Sequence, residues 1–335
     1  MANLLLDGIQ PADVVTEESI EGFRDFLAKV RIGVDPIFIS GDELQDGEIR
    51  VTVTNGYATP ISIDATINGL PLVGLDMESQ TIQAEIEAGE TLTKVVPFRM
   101  KEPVELARFR RTSLEAKVAS IEDASLRAEW SVPAIIDREY AIFARDISID
   151  GRLDDWSSTT WWETDASPPL AGSAQNWNGP ADGSFRISVA CDDDNLNFAA
   201  KVADERIVDG DQLTVAVDPR PLINRLERNR LGRETIALTV EAPASEELAS
   251  CKVSRFGRNV AEVSAYGRRI PGGYELEFSA PIKNLVDAQG SDWSSFQVGA
   301  RLVDVDSSEE ETCEVLWRSS PNRRENREFA HVIRK

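Results

Sequence analysis

Histidine is almost missing from this sequence; His331, in the alternating terminal stretch FAHVIRK, is the only one. A single histidine in a last strand reads as structural, and no Ser-His-Asp set or histidine-based metal site assembles around it. The chain also lacks G-x-S-x-G, H-E-x-x-H and a Walker-type glycine loop, so the common hydrolase, metalloprotease and nucleotide signatures are excluded. The 58 acids offer carboxylate pairs in plenty for glycosidase chemistry, which for that reason identify none. The chain reads as non-enzymatic. Cysteine is scarce too: Cys191, Cys251 and Cys313 lie far apart without a C-x-x-C spacing, which leaves zinc and thioredoxin-like chemistry without support. An odd number leaves at least one thiol free, and a single disulfide stays open.

Positive charge is in deficit, 36 Lys and Arg against 58 Asp and Glu, for a net charge of −22. Nucleic acid and anionic lipid would be repelled before contact. Two Arg-rich stretches, Arg220 to Arg233 and Arg318 to Lys335, run against the trend and read as a solvated loop and a charged terminal edge. No apolar run is long enough to cross a bilayer, which excludes membrane insertion by a helix. The start, MANLLLDGIQPADVV, has neither a basic flank nor a small-residue cleavage site, so it is no secretory signal. The expectation is cytoplasmic if the chain is complete, or extracellular or envelope-bound if it is the C-terminal part of a longer secreted protein.

What is present is globular composition, 41% apolar and 28% charged, in a 335-residue chain long enough for two cores. Residues 16 to 31 begin with a capping pattern and place Ile20, Phe23, Phe26, Leu27 and Val30 on one helical face. From Pro36 short alternating runs follow at intervals of about 8 to 12 residues, the rhythm of an all-β sandwich. The reading is an all-β protein of two sandwiches: a helical lead at 1–34, an Ig-like domain at 35–140 and a second sandwich at 141–335. In the second, strands are expected at 146–150, 184–191, 195–202, 211–217, 234–240, 259–265, 273–280, 296–305, 313–317 and 329–333.

Three elements stand in fixed order in that second half: IDGRLDDW at 149–156, FRISVACDDDNLNFAAKVADERIVDGDQLTVAVDP at 185–219, and GGYELEFSAPIKNL at 272–285, followed by FQVGARLVDVD at 296–306. Each has an architectural reading. Asp-Gly and the acidic run suit tight turns, Gly272 and Gly273 turn the chain, and Leu153 and Trp156 would re-enter the core to close one end of the sandwich. Together, over about residues 143–335, the elements resemble the family 9 carbohydrate-binding modules and their DOMON-like relatives. The resemblance implies a β-sandwich that grips a saccharide between two tryptophans. One clamp tryptophan would precede DQLTVAVD, where this chain has Ile207, Val208, Asp209 and Gly210. The other would lie in SSPNRRENREF, which also holds no tryptophan, although Arg323 and Arg324 there could donate to sugar hydroxyls. Trp317 matches a family tryptophan that looks structural. The haem binding of some DOMON-like relatives needs axial ligands, and Met77 and Met100 fall in the other domain.

Candidate ligand-binding residues are therefore Trp161, Trp162 and Trp177, in the polar stretch between the first two elements, together with Arg323 and Arg324. Adjacent tryptophans in a strand point to opposite faces. For metal, Asp192, Asp193 and Asp194 with Asn195, or Asp150, Asp154 and Asp155, offer oxygen to calcium, an ion the resemblance implies in a structural role. No other cofactor is expected. The function read here is a non-catalytic carbohydrate-binding module with an Ig-like spacer, in a larger secreted or envelope protein. The alternatives are a structural or protein-interaction unit that has lost the sugar site, or the accessory region of a hydrolase.

Overall fold

The computed structural model describes residues 2–3, 17–39, 43–44, 46–68, 75–76, 80–100, 104–105, 110–120, 127–227, 230–256, 263–306, 312–319, 325–326 and 328–335. It divides into two compact units, Met1–Arg138 and Glu139–Lys335, close to the boundary expected at 140. In the first unit the helix spans Glu17–Lys29 and gives way to strand Val30–Val34, which pairs antiparallel with Gly47–Asn55. Phe26 and Val30 are buried with Ile49, Val51 and Phe98 of one sheet and Ile63, Ile82 and Ile136 of the other. The part of the expected lead that carries Phe26 and Val30 thus belongs to this core, where the apolar face of the helix is buried.

The second unit is also a pair of sheets around one core. The first is six-stranded: Trp161–Glu163, Ser184–Cys191, Asn195–Ala203, Gly273–Pro281, Ala265–Ile270 and Ala249–Ser250. The facing sheet runs Val253–Phe256, Ile236–Glu241, Gln212–Asp218, Ser295–Val305, and then Thr312–Trp317 at one end of that last strand and Ala330–Arg334 at the other. Phe198, Leu276 and Phe278 from the first sheet and Leu213, Val215, Leu238 and Val298 from the second bury between them. Alternating apolar residues make each strand, and the turns read from sequence are present. Asp192 accepts the N–H groups of Asp194 and Asn195 to close its hairpin, and Gly272 and Gly273 adopt positive φ. All three cysteines are free thiols. Of the strand expected at 259–265, residues 259–262 lie outside the described residues.

Two expectations need correction. Residues 146–150 form no strand, and Trp156 does not close the end of the core. Instead residues 147–156 lie over the outer face of the six-stranded sheet, where Ile147 and Trp156 pack on Ala190 and Ala199. Glu277 holds them there. Fully buried on that outer face, it accepts N–H groups from Asp150 at 2.9 Å and Gly151 at 2.6 Å, and the indole N–H of Trp156 at 2.6 Å. Burial pushes its carboxyl above the ordinary value, against the pull of those three donors. Gly151 is required at φ 82°, since a Cβ would stand 2.2 Å from Leu248 Cδ1.

The outer face of the other sheet is partly covered by residues of the Arg-rich segment, of which Arg220 and Arg225 are buried while Arg230 and Arg233 are exposed as expected. Arg220 is buried against Asp218 at 2.6 Å, Asn326 donates to the same carboxylate at 2.7 Å, and Arg225, in helix Leu222–Glu227, donates to Ser295 at 2.7 Å. His331 is buried beside them, its pKa held down to about 3 by desolvation and then by the Arg225 charge.

Two predictions follow from these buried groups. Glu277→Ala orphans three N–H donors, at roughly 1–3 kcal/mol each, so urea denaturation should show a loss of about 3 kcal/mol or more; a loss under about 1 kcal/mol would refute the anchoring role. His331 stays neutral in the folded chain down to about pH 3, whereas the unfolded chain protonates it below 6.5. Its contribution is therefore lost as pH falls from 6.5 toward 3, by up to ~1.4 kcal/mol per pH unit. Urea curves at pH 7, 6 and 5 should show a shallower acid slope for His331→Gln than for the wild type; equal slopes would contradict the shift.

Candidate functional site

Strand alternation gives the sheet built on Gln212–Asp218 an outward row at each register position. One row runs Phe256, Ala237, Ala216, Gly299 across neighbouring strands, and the next runs Ser254, Thr239, Thr214, Arg301. Small residues in the first row leave a concave floor beside the phenyl ring. Gly299 could not be larger, because a Cβ there would lie 2.7 Å from both Arg318 O and Phe329 Cδ1. The result is a groove of about 710 Å³. Phe256 stands at its edge, 67% exposed, the most exposed large hydrophobic side chain among the described residues.

Polar groups converge on this floor. Thr214 and Thr239 share a hydrogen bond at 2.8 Å, leaving oxygen lone pairs for a ligand. Gln212 extends the row, and Arg301 is fixed by an ion pair with Glu314. Arg230 and Glu325, brought together by a backbone bridge, line the other end. A shaped surface with one exposed aromatic face and a few oriented hydroxyl, amide and guanidinium groups suits a ligand with alternating apolar and hydroxylated surface.

The tryptophans singled out from sequence lie elsewhere. Trp162 faces inward, opposite Ile187, and stacks on Trp317 at 5.5 Å and 6°, with Tyr140 edge-on at 5.0 Å. At 6% exposure it is a core residue, so its assignment to ligand binding is withdrawn. Trp161 faces the opposite way, half-buried on the outer side of the six-stranded sheet, with the Arg186 guanidinium 5.1 Å and the Lys201 ammonium 6.0 Å from its ring centroid. Next to it runs a ladder of charges in which Lys201 and Arg268 pair with Glu275 at 2.8 and 3.0 Å. Burial works against the Glu275 charge, yet those two cations hold its pKa below the ordinary value. Trp177 packs against the core and donates its indole N–H to Gly183 O at 2.7 Å. Arg323 and Arg324 lie outside the described residues.

For metal, the hairpin acids are used by the turn: Asp192 accepts from two backbone N–H groups and from Asn197, while Asp193 and Asp194 are exposed. Asp150 and Asp155 likewise accept backbone N–H groups, from Arg152 and Ser148. The carboxylates brought together among the described residues are a different set, Asp204, Asp211 and Asp304. Sequence reading missed both this set and Phe256. The acids are scattered along the chain, and the only local sign of the groove was a run of small and hydroxyl residues at alternate positions in QLTVAVD and IALTVE.

Neither a protein-family model nor a curated protein matches the sequence. Among solved structures, the chain is similar to a carbohydrate-binding module of family 9 from Caldicellulosiruptor kristjanssonii. In complex with cellotriose, that module is 12% identical, with a TM-score of 0.44, over 59% of this chain and 93% of the module. In complex with glucose, the figures are 13% identity, a TM-score of 0.45, and 59% and 95% coverage.

Proposed function

We propose that the second unit is a non-catalytic glycan-binding module whose ligand lies in the groove beside Phe256, with the first unit as a spacer. The observation that carries this reading is the exposed Phe256 ring at the end of the Ala237, Ala216, Gly299 floor. A pyranose ring presents an apolar C–H face to an aromatic ring and hydroxyls around its edge. Here the edge would meet Thr214, Thr239 and Gln212 on one side and Arg230 and Glu325 on the other. Its volume lies within the range of about 300–1,000 Å³ common to small-ligand sites. On this reading the chain works outside the cell or in its envelope, where polysaccharides are met.

A structural or protein-binding unit is the second reading. It is favoured by one observation: no tryptophan lines the groove. Affinity electrophoresis with xylan and soluble cellulose derivatives, and calorimetric titration with glucose and cellotriose, separate the two. Binding is expected, weakened about tenfold or more by Phe256→Ala. The thermal midpoint should barely move, because the ring is already exposed. Trp161→Ala should leave affinity unchanged. Retention of no saccharide leaves the second reading, and retention unaffected by Phe256→Ala removes the groove as the site.

A further inference from the structure

Thr235 stands one residue before strand Ile236–Glu241 and lines the groove, while Ile236 beside it is buried in the core. With Ala237 and Thr239 it makes an alternating outward set, and all three line the groove. Its backbone N–H donates to Gly232 O at 3.3 Å, so a turn fixes its place at the end where Arg230 and Glu325 meet.

Thr214 and Thr239 satisfy each other on the floor, but the Thr235 hydroxyl has no hydrogen-bond partner among the described residues, and the residue is only 1% exposed. A hydroxyl taken from water without a partner is costly, and valine has the same shape without that cost. For packing alone, valine would serve better here. A second buried oxygen at this end is in the same condition. Asn326, next to Glu325, donates from Nδ2 to Asp218 Oδ2 at 2.7 Å and to Gln297 Oε1 at 3.2 Å, which fixes the orientation of its amide and leaves Oδ1 without a partner. Asp218 and Gln297 face each other one outward row beyond Ala216 and Gly299, beside the groove floor.

We propose that the Thr235 hydroxyl is a binding contact, which hydrogen-bonds a hydroxyl of the saccharide at the Arg230–Glu325 end of the groove and so makes that hydroxyl a determinant of specificity. This rests on the groove being the saccharide site. A sugar hydroxyl donates and accepts at once, and therefore satisfies threonine in either sense. Asn326 Oδ1 only accepts, and Glu325 brings a carboxyl to the same end, so the ligand there must carry donors. A sugar hydroxyl meets that demand; the carboxylate of a uronic acid does not. A site whose buried polar group is left unanswered rejects the wrong ligand more strongly than an apolar pocket rejects a missing methylene. Phe256 meets a ring face whichever hydroxyls the ring carries, whereas Thr235 reads one of them.

The full chain and its Thr235→Val variant are titrated calorimetrically with glucose, cellotriose and the monodeoxy analogues of glucose. The variant should bind glucose and cellotriose about tenfold more weakly or worse, with its thermal midpoint in the absence of sugar at or above that of the wild type. One analogue, lacking the hydroxyl that Thr235 meets, should bind both proteins equally, and Thr235→Ser should restore the discrimination. Should the valine variant fail to fold, Thr235→Ala carries the same comparison. Wild-type affinity in the variant overturns the proposal, as does weaker binding in which every analogue is still discriminated as in the wild type. If Phe256→Ala weakens binding while Thr235→Val does not, the groove stands as the site and only the role of Thr235 falls. A wild-type chain that binds no saccharide removes both.

Discussion

Alternation of side chains along a strand is the constraint from which the rest of the second unit follows. Inward positions must be apolar and close-packed, as Leu213, Val215 and Val217 are, so every polar or functional group is forced to an outer face or a strand end. Trp161 and Trp162 show its force. Identical and adjacent, they part at the backbone, one stacked on Trp317 inside and the other among cations outside. The same rule puts Thr214 and Ala216 on the groove floor and Glu275 and Glu277 on the far side of the other sheet. Groove and carboxylate set occupy the places that the core leaves over.

Outer faces that become covered bring a second requirement, because a polar group taken from water must find partners. Glu277 and Asp218 meet it in different ways. The first uses two backbone N–H groups and an indole, and so fastens residues 150–156 to the sheet; the second uses Arg220 and Asn326, and so holds Arg220 down on the sheet. Both carboxylates are satisfied by the chain itself. Set against these, Asp204 Oδ2 and the Tyr274 hydroxyl lack protein partners.

Much of the architecture could be read from the sequence because period-two patterns and turn residues act locally. Strands Ser184–Cys191 and Asn195–Ala203, the acidic hairpin between them and the Gly272–Gly273 turn are examples. What could not be read depends on the third dimension. Trp156 is buried, as its apolar ring suggests, but on the outer face of the sheet, where its indole N–H donates to Glu277, 121 residues away. Arg220 and Arg225 looked solvated because arginine usually is, yet carboxylate and hydroxyl partners from other strands draw them inward. The tryptophan-rich stretch drew attention as a ligand site, whereas the exposed ring of the groove is a phenylalanine in the unremarkable run VSRF. No periodicity joins Asp204, Asp211 and Asp304; only the strand order does.

Charge narrows the kind of saccharide that the proposed groove would take. Of its guanidinium groups, that of Arg301 is paired with Glu314, and Arg230 lies on a backbone bridge to Glu325. Around the groove, a net charge of −22 repels polyanions at long range. Hydroxyls of threonine and the amide of Gln212 serve equally well as donors and acceptors to neutral sugars, whose approach the field does not oppose. The same acidity that argues against nucleic acid therefore favours an uncharged polysaccharide over an acidic one. It places the selectivity of the site in ring stacking and hydroxyl geometry rather than in ion pairing.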